Sequence, residues 1–166
     1  MMNRIVVKFI LSSISVWLIL CTIIFCNGYQ DCIFKFYAEK IRPYFFTAFL
    51  TAGSLILTLK FNILFNIKDK LYSNEKYLEK VKEYKKIKKD YKRYGPLANL
   101  GELLVACVLA CLLTAVSQFC IGFIPYWIAS VFCIALAIVT MSMIFCTWYH
   151  VWCTLKTWFQ ILREDE

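Results

Sequence analysis

Two ionisable side chains, Lys60 and Glu102, stand inside stretches otherwise fit for lipid. A charge inside a membrane span costs about 2.5–3.5 kcal/mol on insertion scales, so such residues turn toward partners. Their two segments run in opposite directions and place them at similar depth, which predicts a Lys60–Glu102 ion pair with Asn62 and Asn99 as hydrogen-bond neighbours. The alternative is that Lys60 snorkels to the headgroups while Glu102 complements the start of its helix. The nine cysteines include no Cys-x-x-Cys pair, and His150 is the only histidine. Zinc needs clustered ligands, so no metal is expected. Cys26, Cys32 and Cys120 fall near one face, where a disulfide is chemically feasible; the others read as small membrane-buried hydrophobes. There is no phosphate-cradling glycine loop, nucleophile elbow or paired carboxylate in a soluble setting. No catalytic residue and no cofactor are assigned, and the chain reads as non-enzymatic.

The elements that hold these residues follow from composition. The 166 residues are 61% hydrophobic and 18% charged, with a mean hydropathy of +0.63. Soluble domains carry about 45–50% apolar and about 25% charged residues, so the departure is toward membranes and away from disorder. Residues 103–155 contain no Asp, Glu, Lys or Arg. As one rod they would run roughly 80 Å, far beyond a bilayer of about 30 Å, so they must fold back. Gly122 and Pro125 place that turn at Cys120–Pro125. The expected fold is all-α, with four transmembrane helices at about 5–27, 44–67, 97–120 and 124–148. Residues 1–67 form one helix pair, 68–96 a protruding helical extension, 97–148 the second pair and 149–166 an interfacial tail. The first span reads as a retained helix, because Cys26-Asn27-Gly28 is a poor cleavage site.

Charge orients the bundle. Segment 68–96 has eleven bases against five acids, a net of +6. With Arg4, Lys8, Lys60, Lys156 and Arg163, 16 positive residues fall on one side, and Lys35, Lys40 and Arg42 on the other. The positive-inside rule then puts both termini and the extension in the cytoplasm. Trp148, Tyr149, Trp152 and Trp158 suit the inner aromatic belt; Tyr29, Phe34, Phe36, Tyr37, Tyr44, Tyr126 and Trp127 suit the outer one.

The extension reads as one helix from Glu75 to Arg93, stopped by Gly95-Pro96 and preceded by a reversal at Ser73-Asn74. Tyr77, Val81, Tyr84, Ile87, Tyr91 and Tyr94 form an apolar stripe of coiled-coil type, flanked by Lys85, Lys88 and Lys89. It suits a solvated connector, a contact surface for a partner or sister subunit, or a helix lying on anionic headgroups. In the third span Ala106, Ala110 and Thr114 lie beside Cys107, Cys111 and Ala115, a spacing that permits close helix approach within the bundle or between subunits. Three functions fit: a non-enzymatic subunit presenting its basic helix to a cytosolic protein, an ion-conducting or depolarising pore, and an intramembrane enzyme or transporter. The last ranks lowest, and direct nucleic-acid binding is a minor option because the arm carries acids and sits against the bilayer.

In whole-chain layout, in the Lys-rich stretch Glu75–Arg93 and in its short tail, the chain resembles the membrane subunit of the bacterial Kiwa anti-phage defence system. The resemblance implies a homo-oligomeric component of a bacterial inner membrane that detects infection at the envelope and works with a cytosolic DNA-binding partner; a tetramer is the first expectation for the oligomer. It transfers no residue roles. The pore-forming-colicin immunity proteins are similarly small and have four spans, but lack an obvious counterpart of the 75–93 helix.

Overall fold

A computed structural model describes residues 2–71 and 95–163. The arm helix expected over 75–93, with Tyr77, Val81, Tyr84, Lys85, Ile87, Lys88, Lys89, Tyr91 and Tyr94, lies outside the described residues. So do the tail acids 164–166. Among the described residues the fold is all-α, and four helices are long and apolar enough to cross a membrane.

Helix α1 spans Met2–Asn27. It has no internal Gly or Pro and stops at Gly28, the one position with positive φ among the described residues, at 69°. Gly28 N–H donates to Phe25 O at 3.3 Å and Tyr29 N–H to Ile24 O at 3.4 Å, the paired bonds of a Schellman cap. The segment between the first two expected spans is itself helical. Helix α2, Gln30–Phe36, runs into a π-helical turn, Tyr37–Ile41, and then into α3, Arg42–Leu71. Pro43 explains the widened turn. Its ring would strike the Glu39 carbonyl in a regular α-helix, and it has no N–H to donate. The wider turn accommodates it, with Arg42 N–H reaching back to Tyr37 O.

Helix α4, Gly95–Cys120, opens with Pro96 in its first turn, where its missing N–H is harmless. A 3-10 turn at Ile121–Phe123 reverses the chain at the expected place, and α5, Trp127–Arg163, returns. The residues after 148 extend α5 without a break. The last two spans form the core: half of the third and 39% of the fourth is buried, against 11% for each of the first two.

The α4–α5 hairpin closes along two stripes at three- and four-residue steps. Leu97, Leu100, Leu104, Cys107, Cys111, Thr114 and Gln118 are all buried on α4; Ser130, Cys133, Ala137, Thr140, Thr147 and Val151 are buried on α5. Lipid tails are as apolar as leucine, so hydrophobicity alone does not drive this contact; small residues let backbones approach and polar groups join across the gap. Helix α3 packs chiefly on α4 and α1 chiefly on α5, so the first two spans flank the hairpin instead of pairing with each other. Trp17 meets Phe132 edge-on at 6.0 Å, and Phe46 lies 6.0 Å from Phe119. The α2–π segment bridges the two flanks across the hairpin tip.

Candidate functional site

The polar groups at this hairpin tip converge on Tyr37. Its neighbour Phe36 is 57% exposed and Tyr44 is 73% exposed, yet Tyr37 is 0% exposed. The expected place of Tyr37 in an aromatic belt is therefore corrected: the π turn directs it inward between α4 and α5. Its hydroxyl donates to Gln118 Oε1 at 2.5 Å, and Gln118 Nε2 donates to the Cys133 carbonyl at 3.0 Å. One buried amide thus ties the bridging segment to both helices of the hairpin. Cys133 Sγ lies 3.5 Å from the Ser117 carbonyl and adds a weak bond across the same level.

Gly122 makes room for the ring. A Cβ there would sit 2.6 Å from the Tyr37 hydroxyl and 3.2 Å from Arg42 Cδ. Arg42 Nη1 donates to the Gly122 carbonyl at 3.3 Å, and the guanidinium lies 4.0 Å from the centroid of Phe123. A cation over an aromatic face contributes about 0.5–1 kcal/mol at an exposed site and more as water is excluded; Arg42 is partly buried. Tyr37 and Arg42, at the two ends of the π turn, therefore clasp the reversal from the side of α3.

Further along the seam, Thr114 Oγ1 meets Thr140 Oγ1 at 2.6 Å, and both residues are fully buried. Where α3 crosses α4, a Cβ at Gly53 would lie 3.2 Å from Cys111 Cβ. Phe49, Cys111, Ala115 and Ala137 pack together beside that crossing. Ala106, Cys107 and Ala110 are buried too.

The Lys60–Glu102 pair is not closed at Glu102 Oε2, which is buried with no hydrogen-bond partner. Register explains this. Phe46 opposite Phe119 and Gly53 opposite Cys111 place Lys60 level with residues 104–105. Glu102 lies nearly a turn away, roughly 4 Å along the axis. Asn62 and Asn99, the expected neighbours, are exposed. His150 is exposed and all nine cysteines are free. Among the described residues no group of three His, Cys, Asp or Glu is placed to hold a metal ion.

The tip cluster was not among the sites expected from the sequence. The readable signal was Arg42-Pro43, a proline inside an apolar helical stretch, with Tyr37 one wide turn before it. Chemically the cluster is a hydrogen-bonded clasp with one cation, Arg42, suited to holding helices in one arrangement. No family model, curated protein or solved structure matches the chain.

Proposed function

We propose that this chain is a non-enzymatic inner-membrane subunit of an anti-phage defence system. It oligomerises in the bilayer and couples an envelope signal to a cytosolic partner through its basic arm. The observation that carries the reading is the antiparallel crossing of α3 and α4 at Gly53 and Cys111. It places Leu71 and Gly95 at the same end of the bundle, so the net +6 segment begins and ends on one membrane face. The positive-inside rule assigns that face to the cytoplasm. The clasped tip then belongs to the outer face, where an envelope signal would act.

Support also comes from the distribution of packing. The hairpin core is sealed, with the Thr114–Thr140 contact at its centre, so conduction would need a path between subunits. The flanking spans leave large apolar faces uncovered, including Leu55 and Phe65 on α3 and Leu11 and Ile19 on α1, available to lipid or to sister subunits. The resemblance to the Kiwa membrane subunit supplies the defence context.

Removing residues 75–93 from the full chain tests the reading. The variant is expected to insert and assemble as before, while a cytosolic protein that co-purifies with the intact chain is lost and phage protection falls. Retention of that partner by the deleted form overturns the role of the arm. Conductance across planar bilayers by the purified protein would favour a pore instead.

A further inference from the structure

We infer that the outer segment 28–42 is a latch, and that seating or releasing Tyr37 sets the tilt of α3 against the α4–α5 hairpin. This deepens the signalling role proposed above and rests on it for the direction of the signal.

The lock has three independent parts. The Tyr37 hydroxyl is bonded to Gln118, the slot is open only because residue 122 has no side chain, and Arg42 holds the Gly122 carbonyl and the Phe123 face. The π turn between Tyr37 and Arg42 is the movable element. It carries one residue more than an α-helical turn, a poorer arrangement that occurs mostly as single turns at functional places. Pro43 bars a regular α-helical turn here, so release proceeds by unwinding of Tyr37–Ile41 ahead of it, which takes the Tyr37 ring out of its slot.

The pivot is the close crossing at Gly53. There a Cβ on α3 would stand 3.2 Å from Cys111 Cβ, so the absence of a side chain at Gly53 lets α3 approach α4 closely. Eleven residues separate Gly53 from Arg42 at the latch and twelve separate it from Phe65, so the lever arms are roughly 16 and 18 Å. Ejecting a ring changes the spacing at the latch by about 3.5 Å, one van der Waals contact. A rigid α3 rocking on Gly53 transmits a similar displacement, of opposite sense, to the end where the arm leaves. Beyond the pivot Ile63 is buried, whereas Phe61 and Phe65 stack on each other within α3 and are exposed, so one residue of this stretch opposes the movement and two do not. Packed helices that switch between two seatings move by steps of this kind.

The test uses the full chain in lipid nanodiscs, with genetically encoded spin labels at Phe65 and Ala98, which are exposed and lie at nearly the same level of α3 and α4. The native protein is expected to give one narrow label distance and slow amide exchange over 28–42. Gly122→Ala, and separately deletion of Ala38 to remove the surplus residue of the π turn, are expected to speed exchange over 28–42 and move the label distance by about 3 Å or more. Tyr37→Phe, which keeps the ring and loses only the hydrogen bond, is expected to broaden the distribution and decides the matter if the harsher variants fail to insert. Gly101→Ala, whose Cβ meets no atom within 4 Å, is the unchanged control. Fast exchange over 28–42 with an unaltered label distance overturns the latch, and so does unaltered exchange in Gly122→Ala. Neither readout needs a partner or a defence phenotype, so a failed latch and a failed signalling role give different results.

Discussion

The Tyr37 hydroxyl and the Gln118 amide, 81 residues apart in the chain, meet at 2.5 Å with both side chains fully buried. Gln118 also donates to the Cys133 carbonyl, so the amide has a partner at each end. Tyr37→Phe leaves Gln118 Oε1 without its donor, and Gln118→Ala leaves the tyrosine hydroxyl without its acceptor. Each is expected to cost about 1–2 kcal/mol, and the double variant less than the sum, because an orphaned buried polar group costs more than the bond it lost. Unfolding in bicelles checks this through a double-mutant cycle. Strict additivity would show that the contact contributes nothing.

A sharper non-additivity is expected at Gly122. The atom in the way of an added Cβ is the Tyr37 hydroxyl itself, while the ring carbon behind it stands at 3.5 Å, an ordinary contact. Gly122→Ala should therefore destabilise the native chain by about 1–3 kcal/mol. The same change in a Tyr37→Phe background should cost distinctly less, because the oxygen is gone and Arg42 is long enough to adjust. Equal costs in the two backgrounds would place the strain elsewhere.

Lys60 and Glu102 are expected to behave independently. The offset that leaves Glu102 Oε2 unpartnered predicts single-Ala effects that add within about 0.3–0.5 kcal/mol, with no rescue by exchanging the charges. Stability of the four variants in one detergent is the measurement. Recovery in the swapped protein would show that the two side chains do meet.

The contrast between these residues shows what could be read before folding. The four spans follow from uninterrupted apolar runs, and the reversal follows from Gly122 and Pro125, because the bilayer admits few other arrangements of such segments. The stripe of Ala106, Cys107, Ala110, Cys111 and Ala115 announces close packing by residue size alone. Which helices are neighbours is not written locally. The expected Lys60–Glu102 pair rests on matching depth and direction, whereas the register between the two helices is set by Gly53 against Cys111 and the phenylalanines above it. Tyr37 looked like one more interfacial aromatic because its inward direction depends on the wide turn that Pro43 imposes six residues later.

At that crossing, Gly53→Ala is expected to be tolerated with a cost of about 1 kcal/mol, since the facing Cys111 Cβ at 3.2 Å must give only a few tenths of an ångström. Gly53→Leu is expected to separate α3 from α4 and cost well over about 3 kcal/mol, the upper end for overpacking. Cys111→Gly should partly restore the alanine variant by removing the opposing carbon. Unfolding by sodium dodecyl sulfate titration distinguishes these, and an equal tolerance of alanine and leucine would mean that the helices do not meet there.

The seam at Thr114 and Thr140 tests what joins the hairpin. Thr114 Oγ1 has two contacts, the Ala110 carbonyl at 2.8 Å and Thr140 Oγ1 at 2.6 Å. A hydroxyl carries one hydrogen, so with Thr114 donating to its own helix, Thr140 must be the donor across the gap. Thr140→Val removes that donor and leaves Thr114 still bonded to Ala110, whereas Thr114→Val removes the only acceptor that the Thr140 hydroxyl has across the seam. Thr114→Val is therefore expected to be the costlier change, although both conserve volume. Hydrogen bonds between membrane helices contribute about 0.6 kcal/mol on average and up to about 1.7 kcal/mol, and full burial puts this one toward the upper figure. Reversible unfolding of the two single variants and the double variant measures the order. Thr140→Val as the costlier of the two would reverse the assigned donor.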